Sequence, residues 1–286
     1  MTVVIGTPLN RVDGRLKVTG SAKYTAELHV DNLAYAVLVK STVPLGRITR
    51  LDMSSAEAAP GVLVVITHLN APRLNTLTSF GFGHSLMPLQ GDAVHYAGQD
   101  IAVVVADTLE RAEHAATLVR VEYETAPHVA RPDDALSSMF PVPITNPPAD
   151  SNRGDVAHGM EMADARVEAD YASVILNHNP IEPHATIAWW EGERLEMLDA
   201  TQAVFLVRST LAEVLGIPAD NIHVVNQFLG GGFGSKTFGW PHEILTAVAA
   251  RHVGRPVKLV LSRKQMFTSA QRVACDTRTS IGMLGL

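Results

Sequence analysis

Short apolar runs punctuate the chain from Leu33 to Pro127, each about the length of a strand. Leu33-Ala-Tyr-Ala-Val-Leu-Val39 is one such run, and the β-branched Gly61-Val-Leu-Val-Val-Ile-Thr67, preceded by Pro60, is a second. Ile101-Ala-Val-Val-Val-Ala106 is apolar throughout, which predicts a strand covered on both faces. Asp107 stands three residues before Glu110 in a capping-box arrangement that predicts a helix reaching about Leu118. Val119-Arg-Val-Glu-Tyr-Glu124 then alternates and reads as a returning strand. These elements predict an α+β or α/β unit with its own core, and the chain as a whole is expected to be α+β.

Residues 1–18 lack apolar periodicity and read as an arm. Residues 128–160 carry Pro132, Pro141, Pro143, Pro147 and Pro148 among Asp, Ser and Asn. Repeated prolines remove backbone donors and disfavour helix before each ring, so an extended linker and a domain boundary are expected there. Beyond it, Ala185–Glu191 and Arg194–Asp199 pattern as a strand pair turning near Gly192. Thr201–Leu215 predicts a helix, with Gly216 at the C′ position and Pro218 after it. Asn221–Asn226 predicts a strand, Pro241–Val253 a helix closed by Gly254, and Pro256–Ser262 a further strand.

Composition narrows the classes. The chain has 286 residues, 47% hydrophobic and 18% charged, which suits a globular protein of about two domains. A net charge of -6 with scattered Lys and Arg offers no field for nucleic acid. No apolar run approaches the roughly 20 residues of a membrane helix. The N-terminus lacks a basic region followed by an apolar stretch, so a cytoplasmic location is expected, or a periplasmic one only through co-export with a partner. Cys275 is the single cysteine, and one thiol cannot hold an iron–sulfur cluster or a Cys-rich zinc site.

The strongest local signal is Gly230-Gly-Gly-Phe-Gly-Ser-Lys236, between a strand and a helix. Glycines permit positive φ and close backbone approach, and the helix start nearby favours an anion or a metal-bound oxygen. The segment is not a P-loop, because Ser235 precedes Lys236 and Thr237 follows it. Nor is it a dinucleotide fingerprint, because the sixth position is Ser235 or Thr237 rather than Gly. Ala200-Thr-Gln202 sits at a strand–helix junction, where an uncharged amide suits contact with an oxo group. In His178-Asn-Pro-Ile-Glu-Pro-His184, residues 178, 182 and 184 share a face if extended. That spacing is not H-E-x-x-H and prolines interrupt it, so no metal role is assigned.

Taken in order, His178–His184, Ala200-Thr-Gln202, Gly230–Lys236 and Leu261-Ser-Arg-Lys-Gln-Met-Phe267 resemble the molybdopterin-binding subunits of the xanthine dehydrogenase/aldehyde oxidase family. Arg11-Val-Asp-Gly-Arg-Leu-Lys-Val-Thr-Gly-Ser-Ala-Lys-Tyr24 resembles the entry to that family's hammerhead domain. The Gly-Ser-Lys followed by Trp240-Pro-His242 is most similar to the bacterial aldehyde oxidoreductase branch. The resemblance implies an arm over 1–18, an a/b hammerhead domain over 19–127, a linker over 128–160 and part of a molybdopterin-binding domain over 161–286. It further implies a molybdenum–molybdopterin cofactor, whose nucleotide form stays open between the plain and cytosine dinucleotide versions. Iron–sulfur and FAD partner subunits, and oxidation of a small molecule with water as oxygen source, complete what it implies.

By motif position, Gln202 would meet the apical oxygen of the metal, and Gly231, Gly232, Phe233 and Gly234 would offer backbone contacts. Thr237 falls on the substrate side, where purine-oxidising relatives place Glu; this favours aldehydes or another carbonyl or heterocycle. The family's base glutamate and most pterin loops lie beyond Leu286, so no catalytic residue is assigned. The chain is therefore expected to be inactive without a remainder or split partner. A non-catalytic assembly module that keeps the fold is the alternative.

Overall fold

The computed structural model describes residues 5–77, 86–129, 153–165, 170–171, 176–269 and 279–280. In its first part these form α1 (Gly14–Val18), β1 (Ala34–Lys40), β2 (Gly46–Asp52), α2 (Ser54–Glu57), β3 (Val62–Thr67) and β4 (Ala93–Val94). Then come β5 (Asp100–Ala106), α3 (Leu109–Leu118) and β6 (Arg120–Thr125). The second part holds α4 (Val156–Glu161), β7 (Asp170–Tyr171), β8 (Ala185–Glu191), β9 (Arg194–Asp199) and α5 (Val204–Leu215). It ends with β10 (Ile222–Val225), α6 (Pro241–Val253), β11 (Val257–Val260), α7 (Arg263–Ser269) and β12 (Thr279–Ser280). The α+β class is as expected.

One seven-stranded sheet runs β10-β9-β8-β11-β1-β5-β3 and so joins strands from both parts of the chain. The seam is the parallel pair β1–β11, in register from Ala34↔Val257 to Ala36↔Leu259. The largest core cluster follows the same seam: Ala36, Leu38 and Val103 share it with Leu195, Leu211 and Leu245. Two smaller clusters lie wholly within the front part, one around Ala56, Val104 and Ala115 and one of Ile48, Val94 and Ile101, so the front part has core of its own beside the shared one. Its alternating strand β6 pairs with β2 in a separate three-stranded sheet. β5, apolar from Ile101 to Ala106, runs between β1 and β3 with every residue buried, as a strand covered on both faces requires.

Helix termini follow local chemistry. Thr108, not Asp107, caps α3, its side chain accepting from the Arg111 N–H. Asp107 pairs with the Arg111 guanidinium instead. α5 begins at Val204 rather than Thr201, and Gly216 closes it at φ 67°. α6 spans Pro241–Val253 as expected, with Gly254 at φ 64°. Its first ten residues are all buried, the signature of a helix enclosed on every side. Two short helices fall where none is expected, α1 inside the arm and α4 inside the linker span; linker residues 130–152 lie outside the described residues. So does Cys275.

Candidate functional site

The four sequence motifs converge at one end of β8 and β9. Arg263, opening α7, donates to the Asn179 side chain at 2.8 Å and to the Ile181 carbonyl at 2.8 Å. Leu261 donates through its backbone to the His184 carbonyl at 2.9 Å. The last motif therefore clamps the first. Between them lies the glycine loop, with Gly231 at φ 98°, Phe233 at φ 54° and Gly234 at φ 100°. A non-glycine residue in the left-handed region is strained, and such strain gathers where backbone must meet a ligand. Phe233 is 72% exposed, so no burial of its ring compensates.

Gln202 is fixed on this loop. Its backbone N–H donates to the Lys236 carbonyl at 2.7 Å. Its Oε1 accepts from the Gly234 N–H at 2.9 Å and the Lys236 N–H at 3.3 Å. Two backbone donors settle which end of the amide faces the loop, so Nε2 with its two hydrogens points the other way. Gly232 makes room for this: a Cβ there would sit 2.2 Å from Gln202 Oε1. Among the described residues, the N–H groups of Gly231, Gly232 and Phe233 meet no hydrogen-bond acceptor. Successive unspent N–H groups beside an outward amide donor form a cradle for an oxygen atom or an anion. A molybdenum-bound oxygen fits that donor set, since every group offered is a donor and none is charged. Thr237 follows in the same turn, half-buried, its N–H donating to the Gly234 carbonyl at 3.3 Å.

Beneath the loop is a buried polar cluster that sequence reasoning missed. Lys236 is 1% exposed, and its ammonium donates to Glu182 Oε2 at 2.9 Å and to the Glu182 carbonyl at 3.0 Å. Burial holds the Lys236 pKa down, with the Glu182 carboxylate opposing it. Glu182 Oε2 is thereby taken by Lys236, and among the described residues Glu182, His178 and His184 do not gather as a metal-binding group. His184 Nε2 lies 3.0 Å from the Ser235 carbonyl, which also accepts from Trp240 Nε1 at 2.7 Å. Since a carbonyl only accepts, His184 carries its proton on Nε2, and burial pushes its pKa down to about 4. His178 is half-buried, its ring 3.6 Å from where a Gly234 Cβ would stand.

Deeper still, Thr186 donates to Asp199 Oδ1 at 2.6 Å across the β8–β9 pair. Burial pushes Asp199 up to about 6. Glu243, whose carboxylate caps α6 through the Trp240 N–H, is pushed well above the carboxylate range by burial and by the Asp199 charge. Asp199 Oδ2 is buried and meets no hydrogen-bond partner among the described residues. Asp199, His242 and Glu243 approach within 4.8 Å, close enough for a cation by distance. One signal for this cluster was present in the sequence: Asp199 shares parity with the buried Leu195 and Met197 on β9. A cleft of about 370 Å³ lined by Leu74, Trp190, Leu215 and Val248 touches none of these residues.

Comparison with known proteins gives the family. Residues 19–127 match the a/b hammerhead domain of aldehyde oxidase and xanthine dehydrogenase, and residues 141–284 match the molybdopterin cofactor-binding domain. The chain is 38% identical over 262 residues to the aldehyde oxidoreductase molybdenum-binding subunit PaoC of Escherichia coli, covering 91% of this chain and 35% of that protein. It is 30% identical over 276 residues to a xanthine dehydrogenase molybdenum-binding subunit of Escherichia coli, covering 91% and 36%. Quinoline 2-oxidoreductase from Pseudomonas putida 86 superposes with a TM-score of 0.83 at 27% identity, over 98% of this chain and 37% of that one. The chain thus spans about a third of the length of these relatives. On both domain matches and the convergence of its motifs on one loop, the chain belongs to the xanthine dehydrogenase/aldehyde oxidase family of molybdopterin-cofactor-binding proteins.

Proposed function

We propose that this chain forms the metal-facing floor of a molybdenum hydroxylase large subunit that oxidises aldehydes or related carbonyl and heterocyclic compounds, with water as the oxygen source. One observation carries the reading: two backbone N–H groups lock Gln202 Oε1 and leave Nε2 directed away from them, while the N–H groups of Gly231, Gly232 and Phe233 meet no acceptor among the described residues. The cofactor, when bound, supplies the oxidising metal and the activated oxygen. Gln202 and the loop would hold another, metal-bound oxygen with neutral donors. Thr237 offers a hydroxyl where a carboxylate would select purines, and the similarity to an aldehyde oxidoreductase subunit supports an aldehyde substrate. Iron–sulfur and FAD subunits would carry the electrons away, and the pterin would be present as molybdopterin or its cytosine dinucleotide.

The test is to purify the full-length product with its neighbouring subunits from a host that makes the cofactor. Molybdenum and pterin near one per chain, and ¹⁸O from labelled water in the carboxylic acid formed from an aldehyde, are expected. Metal-free protein that forms the assembly but incorporates no label would establish the non-catalytic module instead.

A further inference from the structure

We infer that Lys236 and Glu182 are positioning residues, a buried ion pair that closes the glycine loop on itself and thereby sets the direction of the Gln202 amide. This rests on the reading of Gln202 given above. Glu182 Oε2 accepts from the Gly230 N–H at 2.7 Å and from the Lys236 ammonium at 2.9 Å, so one oxygen atom ties both ends of the seven-residue segment. The Glu182 backbone adds a second tie, its N–H donating to the Gly230 carbonyl at 3.2 Å and its carbonyl accepting from Lys236 Nζ at 3.0 Å. Gly230 is required at the near end, because a Cβ there would stand 2.5 Å from Glu182 Cβ.

The far end carries the consequence. The Lys236 carbonyl accepts from the Gln202 N–H at 2.7 Å and from Thr201 Oγ1 at 3.0 Å, and the Lys236 N–H donates to Gln202 Oε1. Gln202 is itself exposed, so an untethered amide would sample several rotamers. Its orientation depends on where the backbone of residue 236 lies, and that is fixed by an ammonium buried on the opposite side. A buried ion pair is a poor device for stability alone, because apolar side chains of similar volume serve as well or better. It is a good device for fixing the place of a strained loop. The sequence pattern by itself gives Lys236 no role, since the P-loop spacing fails there.

The experiment uses the full-length protein and two variants, Lys236→Met and the doubly neutral Lys236→Met/Glu182→Gln. In the double variant the carbonyl oxygen of the introduced amide can still accept from the Gly230 N–H, and no unpaired charge is left buried. Amide hydrogen exchange is followed by mass spectrometry in peptides covering 228–238 and in peptides from β8, β9 and α6. We expect exchange in the loop peptides of the double variant to rise at least tenfold while the sheet and α6 keep wild-type protection. Turnover per bound molybdenum should fall at least tenfold with it. Loop exchange at the wild-type rate overturns the proposal. A uniform rise through sheet, helix and loop also overturns it, by making the pair a plain stability tie. The exchange arm needs no cofactor, so it stands even if the wild-type protein holds no molybdenum, an outcome that would sink the proposed function alone.

Discussion

Gly232→Ala isolates the packing of Gln202 against the loop from any backbone effect. Unlike Gly231 and Gly234, Gly232 has no positive φ, so an alanine there meets no Ramachandran penalty. Its methyl group would stand 2.2 Å from Gln202 Oε1, 2.6 Å from Cδ and 2.8 Å from Cγ. The glutamine must swing away, giving up its bonds to the Gly234 and Lys236 N–H groups. Each is worth about 0.5–1.5 kcal/mol net, and solvent at this exposed side chain replaces part of it, so the loss is roughly 1–2 kcal/mol. For a chain this long that is a fall in Tm of roughly 2–8 °C. On the proposed role of Gln202, turnover should suffer far more, because the donor assigned to the metal's oxygen is displaced outright. The control is Gly231→Ala, which strains a left-handed residue but leaves Gln202 alone; a Cβ there meets the Phe233 ring and Pro180 at 3.2–3.4 Å. The assay is turnover per bound molybdenum beside the thermal midpoint. If Gly232→Ala keeps wild-type turnover per molybdenum, the assignment of Gln202 to the metal oxygen fails.

Further outcomes follow from the same geometry. Gln202→Ala should lower turnover per molybdenum by roughly 10²–10³, the effect of losing one oriented donor, while costing about 1 kcal/mol of stability; equal losses in both would refute it. Asp199→Asn should flatten the pH dependence of stability. The Asp199 pKa is raised by folding from 3.8 to about 6, so its contribution is largest at low pH and is lost as pH rises through that window. His184, pushed down to about 4, acts in the opposite sense and is common to both proteins, so the difference in Tm between pH 4 and 7 reads the carboxyl pair. An Asn variant whose Tm follows the wild-type curve in parallel would contradict the burial of this carboxyl. A protease cut within 128–160 should leave two fragments that co-elute, because β1 and β11 share the sheet across the seam; a free, folded front fragment would contradict this. Thr237→Glu should shift the preference toward purines, read as a ratio of kcat/KM values; an unchanged ratio removes Thr237 from the substrate side.

Strands, helix caps and the glycine loop were legible because each rests on local chemistry. Pro241 and Gly254 bracket α6, and Gly192 turns β8 into β9 at φ 62°. Strand β2 escaped notice because Gly46-Arg-Ile-Thr-Arg-Leu-Asp52 is polar, with Ile48 as its one buried residue. The parallel seam between β1 and β11 was invisible for a different reason. More than two hundred residues separate the partners, and no local pattern encodes which distant strand will be a neighbour. The same holds for the Lys236–Glu182 pair, whose members lie 54 residues apart and meet only when α6 and β8 pack. Gln202 and the loop could be named by motif order, yet the reason for Gly232 emerged only with the glutamine lying across it.

The most direct measurement is a crystal structure of the full-length, cofactor-loaded protein. The account predicts a metal-bound oxygen within hydrogen-bond distance of Gln202 Nε2, about 2.7–3.2 Å, with the Gly231–Gly234 backbone against the metal centre. A metal centre seated elsewhere, with Gln202 Nε2 facing solvent or protein, would contradict it.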